Sequence, residues 1–190
     1  MNAIRLRTEY LKAPMGIDID RPRLFWNCEG GVTQTAYQIT AADDSGDILW
    51  DSGKVESPSM RCTWGGEPVP GCTAVTWKVR LWDESGEPGD WSEGRFETGL
   101  PKGEPWAARW IAGDYAPRKK ERYPVDCFRK TFTVSTAKKA RLYITACGLY
   151  EVRLNGTRVG QFVLAPGHTD YRKRVQYQTY DVTDLLKVCK

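Results

Sequence analysis

The sequence predicts an all-β protein built from two antiparallel β-sandwiches. Aromatic residues make up 12% of the 190 residues, with eight Trp, nine Tyr and five Phe. Eighteen Gly and eleven Pro interrupt the chain at short intervals, and apolar residues alternate with polar ones between these breaks. Aromatic, alternating segments favour strands, and Gly and Pro end them. No segment has the pattern of a helix of ordinary length.

The first half of the chain consists of short strand-like runs separated by turns. Turns are predicted at 43–46, 51–53 and 83–86, because Asp, Ser and Gly supply local hydrogen bonds and positive φ. The predicted strands are residues 10–11, 24–26, 35–41, 48–50, 75–82 and 91–98. In the best of them Val75, Trp77, Val79 and Leu81 share one face, which predicts a core. About seven such strands indicate a sandwich of the immunoglobulin or fibronectin type III kind over residues 1–99.

A linker is predicted at residues 99–105, where two Gly and two Pro in seven residues prevent a strand from continuing. The second domain is therefore assigned to residues 106–190. Its predicted strands are residues 109–111, 127–134, 140–146, 150–154, 158–160 and 175–182, with a loop over 113–126.

Two local signals support this reading of the second domain. Asn155-Gly156 between alternating segments predicts a hairpin with a type I′ turn. A short helical turn is expected over 181–186, capped by Thr183 or Asp181. A jelly roll has about eight strands, and six are visible here. We therefore expect a jelly-roll domain of the galactose-binding-like kind that is truncated at its C-terminus.

Composition excludes several classes of function. There are 28 Lys and Arg against 24 Asp and Glu, and this net charge of +4 is too small for a nucleic-acid-binding protein. No apolar run is long enough to span a membrane, and the N-terminus lacks a secretory signal. Six scattered cysteines without a C-x-x-C motif indicate reduced thiols, so we expect a cytoplasmic protein. One His cannot complete a zinc site, and we expect no cofactor and no metal.

Catalytic residues are not predicted in this chain. The close carboxylate pairs are Asp43/Asp44, Asp83/Glu84 and Asp181/Asp184, all in turns, where acidic residues are usually solvated. His168 lies in a Pro- and Gly-containing loop, and no serine occupies a G-x-S-x-G motif.

A surface site is predicted from aromatic residues at turns and segment edges. Aromatic rings stack on sugars, and Tyr and Arg are common where a surface becomes a buried interface. The candidates for carbohydrate or interdomain contact are Trp106, Tyr150, His168, Tyr171 and Arg174. An ordinary solvated face with a tyrosine corner remains the alternative.

Longer motifs give a resemblance to a known family. Residues 149–156 read Leu-Tyr-x-x-x-Leu-Asn-Gly, and residues 166–183 read Pro-Gly-x-Thr-x-Tyr-x-Lys-Arg-x-x-Tyr-x-Thr-Tyr-Asp-Val-Thr. These segments resemble the N-terminal jelly-roll domain of bacterial α-L-rhamnosidases of glycoside hydrolase family 78. The first domain is similar to the fibronectin-like module that precedes the jelly-roll domain in those enzymes. Residues 77–82 and 91–99 carry this similarity.

The resemblance implies a part of an inverting hydrolase that removes terminal α-L-rhamnose from glycosides. In the family, the catalytic carboxylates lie in an (α/α)₆ barrel further along the polypeptide, so no catalytic residue is carried onto this chain. The implied partners are that barrel and, through the parent enzyme, a rhamnose-containing glycoside. The chain is thus expected to be a non-catalytic accessory region that is inactive alone. The alternatives are a stand-alone carbohydrate-binding module and a purely structural spacer.

Overall fold

A computed structural model describes residues 1–101, 103, 106–116 and 122–187. The chain divides into two compact units, Met1–Gly103 and Glu104–Lys190. Part of the predicted linker lies outside the described residues, and the predicted domain limits, 1–99 and 106–190, stay a prediction.

The first unit consists of two β-sheets. One is three-stranded, in the order β1-β3-β6, and the other is five-stranded, in the order β2-β8-β7-β4-β5. Strand pairs are antiparallel except β2 and β8, which run parallel. The strands are β1 Asn2–Thr8, β2 Met15–Ile17, β3 Arg23–Glu29, β4 Ala36–Asp43, β5 Ile48–Glu56, β6 Arg61–Thr63, β7 Ala74–Trp82 and β8 Ser92–Thr98.

Both sheets contribute to one apolar core. The alternation predicted for β7 is confirmed, because Val75, Trp77, Val79 and Leu81 are all at most 1% exposed. Leu24 of β3 and other residues of the three-stranded sheet pack against this face. Burial of large apolar side chains from two sheets is the main stabilising contribution in a sandwich.

Several local details of the first unit differ from the sequence expectation. Strands β1, β2 and β6 were not predicted. Residues 10–11 are not a strand, because Thr8 and Leu11 close a turn through reciprocal backbone hydrogen bonds of 2.9 Å. The turn predicted at 51–53 is also wrong. Strand β5 continues there through a bulge, and the Ile39 amide donates to Ser52 Oγ at 2.9 Å.

The second unit contains two two-stranded sheets, β9 with β12 and β10 with β11, in its described part. The predicted hairpin is confirmed: φ is +51° at Asn155 and +86° at Gly156. The predicted helical turn is present, but the predicted cap is wrong, because Val182 is the N-cap residue and makes no side-chain capping hydrogen bond. Asp181 accepts the Thr183 amide hydrogen at 3.0 Å just before this turn. The elements are β9 Arg141–Thr145, β10 Arg153–Leu154, β11 Thr157–Arg158, β12 Tyr177–Asp181 and a 3₁₀ turn Thr183–Leu185.

Two predicted strands of the second unit are wrong. Residues 109–111 and 127–134 have no strand hydrogen bonding, and Trp110, Phe128 and Phe132 are 65%, 56% and 60% exposed. An alternating segment becomes a strand only when a neighbour pairs with its backbone groups. No described strand pairs with either segment. The all-β fold class is nevertheless confirmed, and the described residues include no helix long and apolar enough to cross a membrane.

Candidate functional site

The predicted surface residues all lie in the second unit, but they form three separate arrangements. The first is centred on Tyr150, whose hydroxyl lies 3.1 Å from both Tyr180 Oη and Gln178 Oε1. Gln178 Nε2 in turn donates to the Pro166 carbonyl. Burial raises the pKa of Tyr150 above its ordinary value. This hydroxyl is therefore a neutral member of a hydrogen-bond network that connects the loop at Pro166 to β12.

The second arrangement is an aromatic contact. Trp106 meets Tyr177 edge to face, with ring centroids 5.4 Å apart, and Tyr143 lies 6.2 Å from Tyr177. Edge-to-face geometry is a favourable aromatic packing mode. Trp106 is 39% exposed, so part of its ring remains accessible to solvent.

The third arrangement is the loop after Pro166. The His168 and Tyr171 rings lie 5.3 Å apart, and residues 168–172 line an open depression on the surface. Asp170 accepts two hydrogen bonds from the Arg172 guanidinium, at 3.0 and 3.1 Å, and this ion pair holds the pKa of Asp170 below its usual range. The structure thus brings His168 and Tyr171 together, and their predicted contact to a sugar or to another domain stays a prediction.

Arg174 belongs to the same loop but not to the lining of the depression. Its backbone amide donates to the Asp170 carbonyl at 3.0 Å, and its carbonyl accepts from Thr169 Oγ1. The side chain is exposed. The loop therefore presents Arg174 to solvent from a hydrogen-bonded backbone.

Gln178 and Tyr180, the partners of Tyr150, were not among the predicted residues. Both lie on β12, two positions apart and hence on one face of the strand. The alternation of residues 175–182 in the sequence already indicated that these two side chains share a face. Only the pairing of β12 with β9, together with the loop carrying Tyr150, shows which tyrosine they meet.

One member of each close carboxylate pair accepts a hydrogen bond within its turn. Asp83 accepts from the Ser85 hydroxyl at 2.6 Å, and this bond, with the Ser85 amide and the Met1 ammonium, lowers the pKa of Asp83 to about 2. Asp43 accepts the Ser45 amide hydrogen, and Asp181 forms an ion pair with Arg141 at 2.8 Å. Each of these carboxylates stabilises a local backbone conformation.

Groups with metal-ligand or redox chemistry are sparse in the part of the chain that is described. Residues 1–101, 103, 106–116 and 122–187 contain no cluster of three His, Cys, Asp or Glu side chains able to hold a metal ion. Cys28, Cys62, Cys127 and Cys147 are not in disulfides. Cys189, also predicted to be reduced, lies outside the described residues.

These features define a β-sandwich of the immunoglobulin kind followed by a second β-unit with a partly exposed aromatic surface. The family model described as "Rha78A-like, N-terminal immunoglobulin domain" matches residues 3–102, and "Alpha-L-rhamnosidase N-terminal domain" matches residues 135–190. The chain therefore belongs to the α-L-rhamnosidase family and corresponds to the N-terminal region of such an enzyme, as the motifs indicated.

Individual relatives agree with this assignment. An α-L-rhamnosidase of Formosa agariphila is 36% identical over 95% of this chain. Solved α-L-rhamnosidases from Dictyoglumus thermophilum and Aspergillus terreus are 32% and 33% identical, with TM-scores of 0.83 and 0.82 over 99% and 98% of this chain. The chain spans about a fifth of the length of its relatives: 21% of the Formosa protein, and 24% and 22% of the two solved chains.

Proposed function

We propose that this chain is a non-catalytic accessory region of an α-L-rhamnosidase. It supports the remainder of the enzyme, an (α/α)₆ barrel on the same polypeptide, which hydrolyses terminal α-L-rhamnose from glycosides. We also propose that the protein works in the cytoplasm, where exposed thiols such as Cys127 and Cys147 stay reduced.

The observation that carries this proposal is the exposed apolar surface of the second unit. In the described part of this unit, the buried apolar residues are few: Val159, Ala165, Pro166 and Val182. Large contiguous exposed apolar surface marks a site of interaction with another part of a protein. The exposed residues, all at least 56% accessible, are Trp110, Ile111, Val125, Phe128, Phe132, Leu149, Phe162, Val163 and Leu164.

In the same unit, the loop after Pro166 is the proposed contact to the barrel or to a sugar chain. His168, Tyr171 and Arg174 lie on one short loop, and two of them line the depression. Trp106 offers a partly exposed ring elsewhere in the same unit. Tyr150 is connected to the start of this loop, because its hydroxyl bonds to Gln178, whose side-chain amide donates to the Pro166 carbonyl.

The 190-residue chain is expected to release no aryl alcohol from an aryl α-L-rhamnoside. An inverting glycosidase needs two carboxyl groups facing each other across the sugar, about 6.5–9.5 Å apart, and the candidate carboxylates here are engaged in turns. The measurement is a colorimetric assay over a range of chain concentrations, with the full-length enzyme as the positive control. Turnover proportional to the concentration of the pure chain would contradict the proposal.

A second prediction concerns the contact loop in the full-length enzyme. Changing Tyr171→Ala and Arg174→Ala together is expected to lower the melting temperature or weaken the affinity for rhamnosides, because a partly buried ring and a cation leave the interface. Calorimetry and KM measurements test both effects. The matched control is Arg153→Ala, which lies outside the loop in the same unit and whose 59% exposed side chain pairs locally with Glu151. If the double variant matched the wild type in both measurements, the loop would be an ordinary solvated surface.

A further inference from the structure

An alternating row of cations and indole rings lies on the first unit, on the face of the five-stranded sheet opposite the core. The Arg80 guanidinium lies 4.7 Å from the Trp91 ring centroid and 5.0 Å from that of Trp82, and Lys54 Nζ lies 5.2 Å from Trp82. These four residues are named the Arg80 stack. Cation–π contacts with two rings restrict the orientation of a planar guanidinium.

Polar side chains continue the Arg80 stack across the sheet. Arg80 donates to Gln38 Oε1 through Nε at 3.1 Å and Nη2 at 2.7 Å, and Gln38 Nε2 donates to Asp51 Oδ1 at 2.9 Å. Lys54, Gln38 and Arg80 are cross-strand neighbours on β5, β4 and β7. Two inter-strand spacings make this row about 10 Å long. The result is an ordered line of hydrogen-bonding groups beside an aromatic ring.

The charges of this surface are balanced. Lys54 forms an ion pair with Glu56 at 2.8 Å, and Arg80 is connected to Asp51 through Gln38. Two cations are thus accompanied by two carboxylates. A surface without net charge does not favour a polyanion such as a nucleic acid or a sulfated polymer. Neutral, hydroxyl-rich molecules suit it better.

Accessibility differs along the Arg80 stack. Trp91 is 40% exposed, whereas Trp82 is 7% exposed and serves as the base of the stack. One indole therefore offers apolar surface to solvent next to oriented donors and acceptors. That combination matches a pyranose ring, which has an apolar C–H face and a periphery of hydroxyl groups.

We propose that Trp91, with Arg80, Gln38, Asp51 and Lys54, forms a binding site for a neutral saccharide on the immunoglobulin-like unit. The sugar ring lies on Trp91, and its hydroxyls bond to Asp51 and to the cationic side chains. The side chains are already held by mutual contacts, so little conformational entropy is lost on binding. This site is separate from the contact loop of the second unit, and it does not depend on the accessory role.

The test is a titration of the 190-residue chain with saccharides. Binding is monitored through the indole N–H resonances in ¹H–¹⁵N NMR spectra. The probes are methyl α-L-rhamnopyranoside and maltose. A saturable shift of the Trp91 indole resonance is expected with at least one of them. Asp51→Asn should weaken the affinity at least tenfold, and Trp91→Ala should abolish shifts of the neighbouring Trp82 resonance. Trp110→Ala, at a 65% exposed position of the second unit, should leave the titration unchanged.

Other outcomes overturn the proposal. Absence of a saturable shift with both sugars, or an unchanged Trp82 titration in Trp91→Ala, means that the surface does not bind saccharides. Tighter binding of a sulfated saccharide than of the neutral probes contradicts the charge argument. A larger loss of melting temperature for Trp91→Ala in the full-length enzyme than in the 190-residue chain, with no sugar-induced shift in the chain, assigns this face to contact with the rest of the enzyme. Thermal unfolding of each variant confirms that the sandwich is intact.

Discussion

Trp77→Ala is expected to destabilise the first unit by about 3–5 kcal/mol, which is a large part of the stability of a domain of this size. Trp77 is 0% exposed at the centre of β7. Its ring packs so closely on β8 that a Cβ at Gly94 would lie 2.8 Å from Trp77 Cε2. Removing the indole leaves a cavity between two sheets that share a core. Urea unfolding followed by circular dichroism measures the loss.

Two further variants test the cause of this loss. Trp77 Nε1 has no hydrogen-bond partner among the described residues, so Trp77→Phe loses packing but no hydrogen bond, and it should cost less than Trp77→Ala. Trp110→Ala, at a 65% exposed position, should change the free energy of unfolding by no more than about 0.5 kcal/mol. A Trp77→Ala chain as stable as the wild type would show that the core does not depend on this residue.

Gly160→Ala is expected to destabilise the second unit by about 2–4 kcal/mol, through left-handed backbone strain and overpacking combined. Gly160 has φ of +71°, a conformation that costs little only for glycine. An added Cβ would also overlap with Tyr180 Cε1. Tyr180 must then move, and its contact with the Tyr150 hydroxyl is lost. Hydrogen exchange of the β12 amides, followed by mass spectrometry, measures the effect within this unit.

Gly156→Ala is the matched control, because it separates backbone strain from the overlap. Gly156 also has a positive φ, +86°, but a Cβ there would have no atom within 4 Å. The Gly156→Ala substitution should therefore lower the free energy of unfolding only by the backbone strain of the turn, about 1–2 kcal/mol. The hydrogen-exchange rate of the Tyr180 amide should stay closer to that of the wild type. Equal effects of the two substitutions would show that contact with Tyr180 is unimportant.

The sequence predicted the loop after Pro166 as a contact surface, but not the hydrogen-bond network that connects this loop to β12. The loop at Pro166 and Gly167, His168 and the tyrosines that follow predicted a contact surface, and in the structure His168 and Tyr171 lie together. The network from Tyr150 to Gln178 and Tyr180 joins residues 28 and 30 positions apart. Such partners depend on strand pairing and loop path, which no local pattern contains.

Interactions between residues close in sequence determined several local elements of this protein. Alternation assigned the buried face of β7, and Asn155-Gly156 determined a hairpin, because these signals depend on neighbouring residues alone. The tertiary structure decided what depends on distant partners. The alternating residues 127–134 remain outside any strand because no described strand pairs with them, and residues 51–53 form a bulge because β4 continues beside them. The Arg80 stack likewise exists only because β4, β5 and β7 pair in one register, which brings distant side chains into a single row across the sheet.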